Sequence, residues 1–154
     1  MLDVNKNNFW GVFKMKLNTL VILIGSLLFS TQILAAENQR LLVELNKFEK
    51  TETGGCQAFF LFRNQTDFTL EGFEMSLAVL DNAGVIDRLL TIDAAPLPAQ
   101  RTTLKLFEIP EIGCSEISEV LLHELSSCRP QNDEEMDCYP MLDLSSRTNA
   151  TLVK

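Results

Sequence analysis

Residues 68–93 predict a β-hairpin, and the rest of the chain is interpreted around it. Four apolar side chains recur at every second position of its first arm, namely Phe73, Met75, Leu77 and Val79. A period of two is typical of a strand with one face on a core. Asp81-Asn82-Ala83-Gly84 then supplies residues that tolerate the left-handed backbone of a tight turn. The return arm, residues 85–92, is aliphatic but contains Asp87 and Arg88, which is typical of an edge strand.

Further strands are predicted on both sides of this hairpin, at residues 41–48, 56–63, 102–109 and 139–144. Residues 56–63 are apolar on both faces, which predicts a central strand covered on both sides. Residues 94–100 contain Pro96 and Pro98 and are excluded from a central strand. Residues 117–126 fit a strand or a helix, and we favour the strand because the other elements are β. Six or seven short strands predict an all-β, immunoglobulin-like β-sandwich.

The chain contains four cysteines: Cys56, Cys114, Cys128 and Cys138. An even number of widely spaced cysteines in an exported domain favours two disulfides. A zinc site or a redox pair is disfavoured, because no C-x-x-C occurs and the chain has a single histidine. Spacing alone leaves all three connectivities open. If the strand order is that of an immunoglobulin-like sandwich, the expected pairs are Cys56–Cys114 and Cys128–Cys138, one at each end.

The N-terminus predicts export. Lys14 and Lys16 precede an apolar run at residues 17–34, and Ala35-Ala36-Glu37 follows it. This order is typical of a secretory signal peptide cleaved after Ala36, and the rival interpretation is an uncleaved membrane anchor. Met15 resembles an initiator, so residues 1–14 are interpreted as an upstream extension. We therefore divide the chain into an extension and signal peptide (1–36), a periplasmic β-sandwich (37–145) and a flexible C-terminal tail (146–154).

The predicted mature region is acidic. From Glu37 onward there are 20 acidic and 10 basic residues. Phosphate backbones and anionic lipid headgroups require clustered Lys and Arg, so we expect no nucleic-acid partner, and membrane contact only through an uncleaved signal segment. The expected partner is another envelope protein.

Several short segments also resemble a known family: residues 42–46 (LVELN), 55–56 (GC), 62–66 (FRNQT), 94–99 (AAPLPA) and 120–122 (VLL), together with the four cysteine positions. They are similar to a family of exported alphaproteobacterial proteins with no assigned activity, often labelled Tat signal domain proteins. The twin arginines of that label are missing here. The order of strand, hairpin and Pro-Leu-Pro-Ala also resembles small FxLYD-type immunoglobulin-like domains. Both resemblances imply a sandwich, and neither implies a mechanism.

The sequence offers few candidates for catalysis. His123 lies within an apolar alternation and is interpreted as a partly buried sheet histidine rather than as a base. The carboxylates Glu71, Glu74, Asp87 and Asp93 are interpreted as solvated side chains on an exposed strand face. No nucleophile elbow, zinc motif or phosphate loop occurs, so we expect no enzyme, no cofactor and no metal.

Two surface features remain as binding candidates. Residues 131–137 form an acidic loop that would suit calcium, although the ligand pattern of an EF-hand is missing. The edge strand at residues 85–92 would accept a partner strand, unless Asp87 and Arg88 protect it. The leading hypothesis is a non-catalytic binding or envelope-accessory module. The alternatives are an accessory or regulatory subunit of a periplasmic enzyme complex, and a calcium- or ligand-binding domain.

Asn64-Gln65-Thr66 and Asn149-Ala150-Thr151 match the N-glycosylation acceptor sequence. These sites matter only in a eukaryotic secretory pathway, which the bacterial resemblance argues against.

Overall fold

Two four-stranded sheets pack face to face in the computed structural model, which describes residues 39–154. The strands are β1 (Leu41–Lys50), β2 (Cys56–Asn64), β3 (Leu70–Asp81), β4 (Ile86–Asp93), β5 (Arg101–Ile109), β6 (Ile117–Pro130), β7 (Leu142–Ser146) and β8 (Thr151–Val153). Short 3₁₀ turns occupy Cys114–Glu116 and Tyr139–Met141. The predicted signal peptide and its extension, residues 1–36, lie outside the described residues.

Sheet A has the strand order β5-β2-β1-β7, and sheet B has the order β4-β3-β6-β8. Neighbouring strands are antiparallel except for β1 with β7 and β6 with β8, which are parallel. The predicted immunoglobulin-like β-sandwich is confirmed, with one strand more than the six or seven expected. Within residues 39–154, no helix is long and apolar enough to cross a membrane.

The core lies between the sheets and follows the predicted alternation. Phe73, Met75, Leu77 and Val79 of β3 are all buried. The ring of Phe73 packs edge-on against Phe62 of β2, with 6.0 Å between centroids, and so joins the two sheets. Phe60 lies beside Phe62 at 6.2 Å. Aromatic rings at these separations contribute beyond their buried area, so the three phenylalanines form the centre of the core.

The predicted hairpin turn is present at Asp81-Asn82-Ala83-Gly84. The Asp81 carboxylate accepts the N–H groups of Ala83 at 2.8 Å and Val85 at 2.9 Å. The Gly84 N–H donates to the Asp81 carbonyl at 2.9 Å, and Gly84 has a φ of 74°. That left-handed backbone is the conformation for which the turn requires glycine.

Both predicted disulfides are confirmed, Cys56–Cys114 and Cys128–Cys138. The first joins the start of β2 to the turn before β6, at one end of the sandwich. The second closes a ten-residue separation that includes the acidic loop. Disulfides persist in oxidising compartments, so this pair of bonds indicates an exported protein. All four cysteines are used in these bonds.

Residues 117–126, whose pattern fits a strand or a helix, belong to β6, which confirms the favoured strand. Strand β6 is the longest strand in the described chain. Irregularities in its pairing with β3 interrupt the regular alternation of inward-facing and outward-facing side chains. Those shifts explain why the sequence pattern also matched a helix.

The C-terminal tail prediction is wrong. Thr151–Val153 forms β8 and pairs with β6, and Ala150 and Leu152 are buried. Ser146 and Thr148 hold the approach to β8, since both hydroxyl groups donate to the Ala150 carbonyl. These residues therefore belong to the sandwich, because Leu152 completes the core at the edge of sheet B.

The central position of β2 is confirmed, but its predicted cover on both faces is not. Ala58, Phe60 and Phe62 are buried against sheet B. Phe59 and Leu61 point to the outer face of sheet A and are only partly buried, with no third layer over them within residues 39–154. Neighbouring side chains shield them instead: the Lys47 ammonium lies 5.0 Å from the centre of the Phe59 ring.

Candidate functional site

Strand β4 is an edge strand with exposed apolar side chains. Within the described chain, it pairs with β3 on one side and has no strand on the other. Val85, which precedes it, is 60% exposed, Ile86 is 57% exposed and Leu89 is 59% exposed. A long edge that exposes apolar residues is a template for pairing with another strand. The predicted edge position is therefore confirmed.

Asp87 and Arg88 are the residues predicted to protect this edge from pairing with another strand. They bind each other, with 2.5 Å between the Arg88 Nε atom and the Asp87 carboxylate. Arg88 also lies 3.9 Å from the carboxylate of Glu111. Arg88 pairs in register with Val79, an inward-facing residue, so its charge is directed to the side of the sandwich rather than to its outer face. The exposed side chains of Ile86 and Leu89 remain uncovered.

The outer face of sheet B continues the apolar character of β4 across all four strands. Residues directly opposite each other in neighbouring strands point to the same face of a sheet. Ala78 of β3 lies opposite Leu89 of β4 and Leu121 of β6, and Leu121 lies opposite Val153 of β8. We call this set the apolar row (Leu89, Ala78, Leu121, Val153). Within residues 39–154 no second layer covers Ala78, yet it is only 2% exposed, because its larger neighbours close over it.

Acidic residues border the apolar row. Toward the hairpin turn, Leu80 pairs with Ile86 on one side and Glu119 on the other. In the opposite direction, Ser76 pairs with Thr91 and Glu124.

One step further along the strands, Glu74 lies directly opposite Asp93. The strands of sheet B carry seven acidic and two basic residues, whereas those of sheet A carry four acidic and five basic. The two basic residues of sheet B, Arg88 and Arg129, are already in ion pairs. The outer face of sheet B is therefore apolar at its centre and negative at its border.

Sheet A has its own exposed apolar residues, on the edge strand β5. Leu104 is 53% exposed and lies opposite Leu61 of β2. Leu106 is 45% exposed and lies opposite Phe59. Basic and acidic side chains are balanced around these residues, so this surface has no dominant sign of charge. It provides an internal comparison for β4.

Sequence reasoning missed a buried carboxylate, Glu44, on the outer face of sheet A. Glu44 is only 6% exposed. Its carboxylate accepts the Asn46 amide at 2.8 Å and lies 3.4 Å from the Arg147 Nε atom and 3.6 Å from Arg63. The Asn46 hydrogen bond, and after it Arg147 and Arg63, lower the pKa of Glu44 below its ordinary value of 4.5 although burial opposes this. Both carboxylate oxygens of Glu44 have a partner, so the cluster stabilises the fold.

His123 is exposed, contrary to the predicted partly buried position. It lies where the pairing of β6 with β3 shifts between Glu124 and Leu122, and this shift turns its side chain to solvent. The candidate carboxylates all lie on strands of sheet B, where Glu71, Asp87 and Asp93 are exposed as predicted and Glu74 is half-buried. Glu71 lies 3.6 Å from Arg129. Among residues 39–154, no three His, Cys, Asp or Glu side chains converge as metal ligands.

The acidic loop, residues 131–137, is exposed throughout. One of its carboxylates, that of Glu135, forms hydrogen bonds within the fold: it accepts the Ser127 hydroxyl at 2.7 Å and the Cys128 N–H at 2.7 Å. The Ser127 hydrogen bond, followed by that of Cys128, lowers the pKa of Glu135. The loop is thereby held against the end of β6 beside its own disulfide.

The first glycosylation acceptor, Asn64, is a structural residue. It is 1% exposed, and its amide donates to the carbonyls of Phe68 and Leu97 at 2.9 Å each. Its side-chain oxygen accepts the N–H of Thr66 at 2.9 Å and the Thr66 hydroxyl at 2.6 Å. Asn64 therefore ties the end of β2 to the loop that follows β4.

No protein-family model and no curated protein matches this sequence. A solved structure of IrmA from Escherichia coli is similar to this chain, with 12% sequence identity and a TM-score of 0.53. The similarity covers 68% of this chain and 90% of that chain. At this identity the likeness supports the fold alone. The resemblance to exported alphaproteobacterial proteins stays a prediction.

Proposed function

We propose that the protein is a non-catalytic binding module of the bacterial periplasm, and that β4 is the strand to which its partner binds. The observation that carries the proposal is the open edge of β4, where Ile86 and Leu89 are more than half exposed beside the apolar row. A partner strand would gain main-chain hydrogen bonds from the edge and would cover these side chains. An exposed apolar patch of this kind on a soluble domain marks an interaction site.

Two further features support the proposal. The disulfides suit a domain that works outside the cytoplasm. Strand β4 is also held in place from behind, because β3 pairs with β4 on one side and with β6 on the other along most of its length. A partner strand would therefore bind a preformed edge and would not have to order it, which lowers the entropic cost of association.

The experiment compares three forms of the tagged mature domain: the wild type, Leu89→Ser and Leu104→Ser. Both leucines are exposed on edge strands, at 59% and 53%, so each substitution costs little stability and the two changes are chemically matched. Each form is exported in the native host, crosslinked and purified from the envelope.

We expect a specific partner to copurify with the wild type and with Leu104→Ser, and to be lost with Leu89→Ser. Retention of the same partner by Leu89→Ser would contradict the assignment of β4. Recovery of the wild type alone would contradict the binding module itself.

A further inference from the structure

The charge of the β4 surface restricts which strand can pair with it. A strand added to β4 would place every second side chain on the outer face of sheet B, beside Ile86, Leu89, Thr91 and Asp93. Leu89 belongs to the apolar row, and Asp93 lies two pairs further along, opposite Glu74. A partner strand would therefore lie beside an apolar residue, Leu89, and an acidic residue, Asp93, on the same face and four residues apart along β4.

Within residues 39–154, no basic side chain forms an ion pair with Asp93 or Glu74. Like charges directly opposite each other on neighbouring strands destabilise a sheet. Glu74 and Asp93 form such a pair. Asp93 uses one carboxylate oxygen to accept the Ala95 N–H at 2.9 Å, and that bond fixes the direction of the side chain. A basic side chain on the next strand would lie beside Asp93 and would offset the repulsion from Glu74.

We propose that the partner of β4 is a cationic strand in which a Lys or Arg and an apolar residue lie four positions apart on one face. The apolar residue covers Leu89, and the basic residue pairs with Asp93. This inference rests on the proposed function and specifies the chemistry of the partner at the same site. It applies to a parallel or an antiparallel strand, because the spacing is the same when read in either direction.

Charge also argues against a second copy of this chain as the occupant. A second β4 would bring another Asp87 and another Asp93 to the same edge. The mature region as a whole has 20 acidic and 10 basic residues, so two copies repel each other.

The test uses four short fluorescent peptides with the same β-branched background. The first has Lys four positions from Val on one face. The second has Ser and the third has Glu in place of the Lys. The fourth keeps the Lys but shifts it by one residue, which moves it to the opposite face without changing net charge. Affinity for the mature domain is measured by fluorescence anisotropy at low and high salt.

We expect the Lys peptide to bind about threefold more tightly than the Ser peptide, which corresponds to about 0.65 kcal/mol and is typical of an exposed cross-strand ion pair. It should also bind more tightly than the shifted peptide, with a preference that decreases as salt is added. Asp93→Asn keeps an acceptor for Ala95 but removes the charge, and it should abolish the preference. Glu108→Gln, a matched loss of charge on the exposed face of β5, should leave the preference unchanged.

Equal binding of all four peptides, abolished by Leu89→Ser, would overturn this inference and leave the proposed function intact. Binding of none of the peptides would also overturn the inference. In that case the copurification comparison of Leu89→Ser with Leu104→Ser still decides the proposed function independently. A Lys preference that survives Asp93→Asn would overturn the assignment of Asp93.

Discussion

Asn64 offers the sharpest test of how the sandwich is held together. Replacing it with alanine removes four hydrogen bonds at a fully buried position. The Leu97 carbonyl would keep the Leu70 N–H at 3.0 Å, and the Phe68 carbonyl could accept the Thr66 hydroxyl proton that Asn64 no longer takes, across 3.0 Å. The Thr66 N–H would lose its acceptor and stay buried.

The cost follows from this difference. A buried donor without a partner costs about 1–3 kcal/mol, and each hydrogen bond lost from a group that keeps another partner costs about 1 kcal/mol or less. We therefore expect Asn64→Ala to lower the free energy of unfolding by about 3 kcal/mol, measured by urea denaturation with the disulfides intact. Asn82→Ala is the control, because Asn82 is exposed and its amide makes a single hydrogen bond, to the Ser115 carbonyl at 3.0 Å. A loss below about 1 kcal/mol at Asn64, or an equal loss at Asn82, would refute this reasoning.

Three further predictions concern the two disulfides, the buried carboxylate and the C-terminal strand. Cys56 and Cys114 are separated by 58 residues, and replacing both with alanine should lower the free energy of unfolding by about 4 kcal/mol. Cys128 and Cys138 are separated by 10 residues, and replacing both should lower it by about 3 kcal/mol; urea denaturation that gives the reverse order would contradict the loop-entropy argument. Glu44 has a lowered pKa in the folded state, so its ionised form stabilises the protein above pH 4.5, and this contribution is lost as pH falls through the lower folded pKa. Glu44→Gln should thus be about 1 kcal/mol less stable than the wild type at neutral pH, and the difference should shrink below pH 4.5; a difference independent of pH would count against the ion cluster. Deleting residues 148–154 removes β8 and the buried Leu152, and it should lower stability by about 3 kcal/mol in thermal unfolding, while an unchanged melting temperature would restore the tail interpretation.

Much of the fold could be predicted because this chain alternates strictly where one face is buried. Phe73, Met75, Leu77 and Val79 mark β3 without ambiguity, and Asp81 to Gly84 fix the turn that reverses it. The disulfide pairing followed from the strand order, since Cys56 and Cys114 lie at one end of an immunoglobulin-like sandwich. These features depend on local pattern and on topology, which the sequence displays.

The errors arose where the structure depends on contacts between distant segments. The alternation of residues 151–153 is too short to predict a strand, and β8 forms because β6 presents a partner edge. The sequence pattern predicts an ordinary outward carboxylate at Glu44, and its burial depends on partners that include Arg147, 103 residues away. The apolar alternation around His123 predicts a partly buried side chain, but the shift in register between β6 and β3 turns it to solvent.

The surface that we propose for binding can be predicted in part from the sequence. The charges that interrupt residues 85–92 predict an edge strand, and the structure confirms that position. The apolar row was not predicted, because Leu89, Ala78, Leu121 and Val153 come from four separate segments. Predicting a row of side chains across a sheet requires the register of every pair of neighbouring strands. The pattern of a single sequence predicts which face a residue occupies, but not which residue lies opposite it on the next strand.

The measurement that tests the central claim most directly is site-specific photo-crosslinking in living cells. A photoreactive residue at position 89 samples the outer face of β4, and the same residue at position 104 samples the matched edge of sheet A. The account predicts one dominant crosslinked protein from position 89, with a Lys- or Arg-containing strand at the crosslink, and background from position 104. Equal or stronger crosslinking from position 104, or background from both positions, would contradict the claim that β4 is the binding edge.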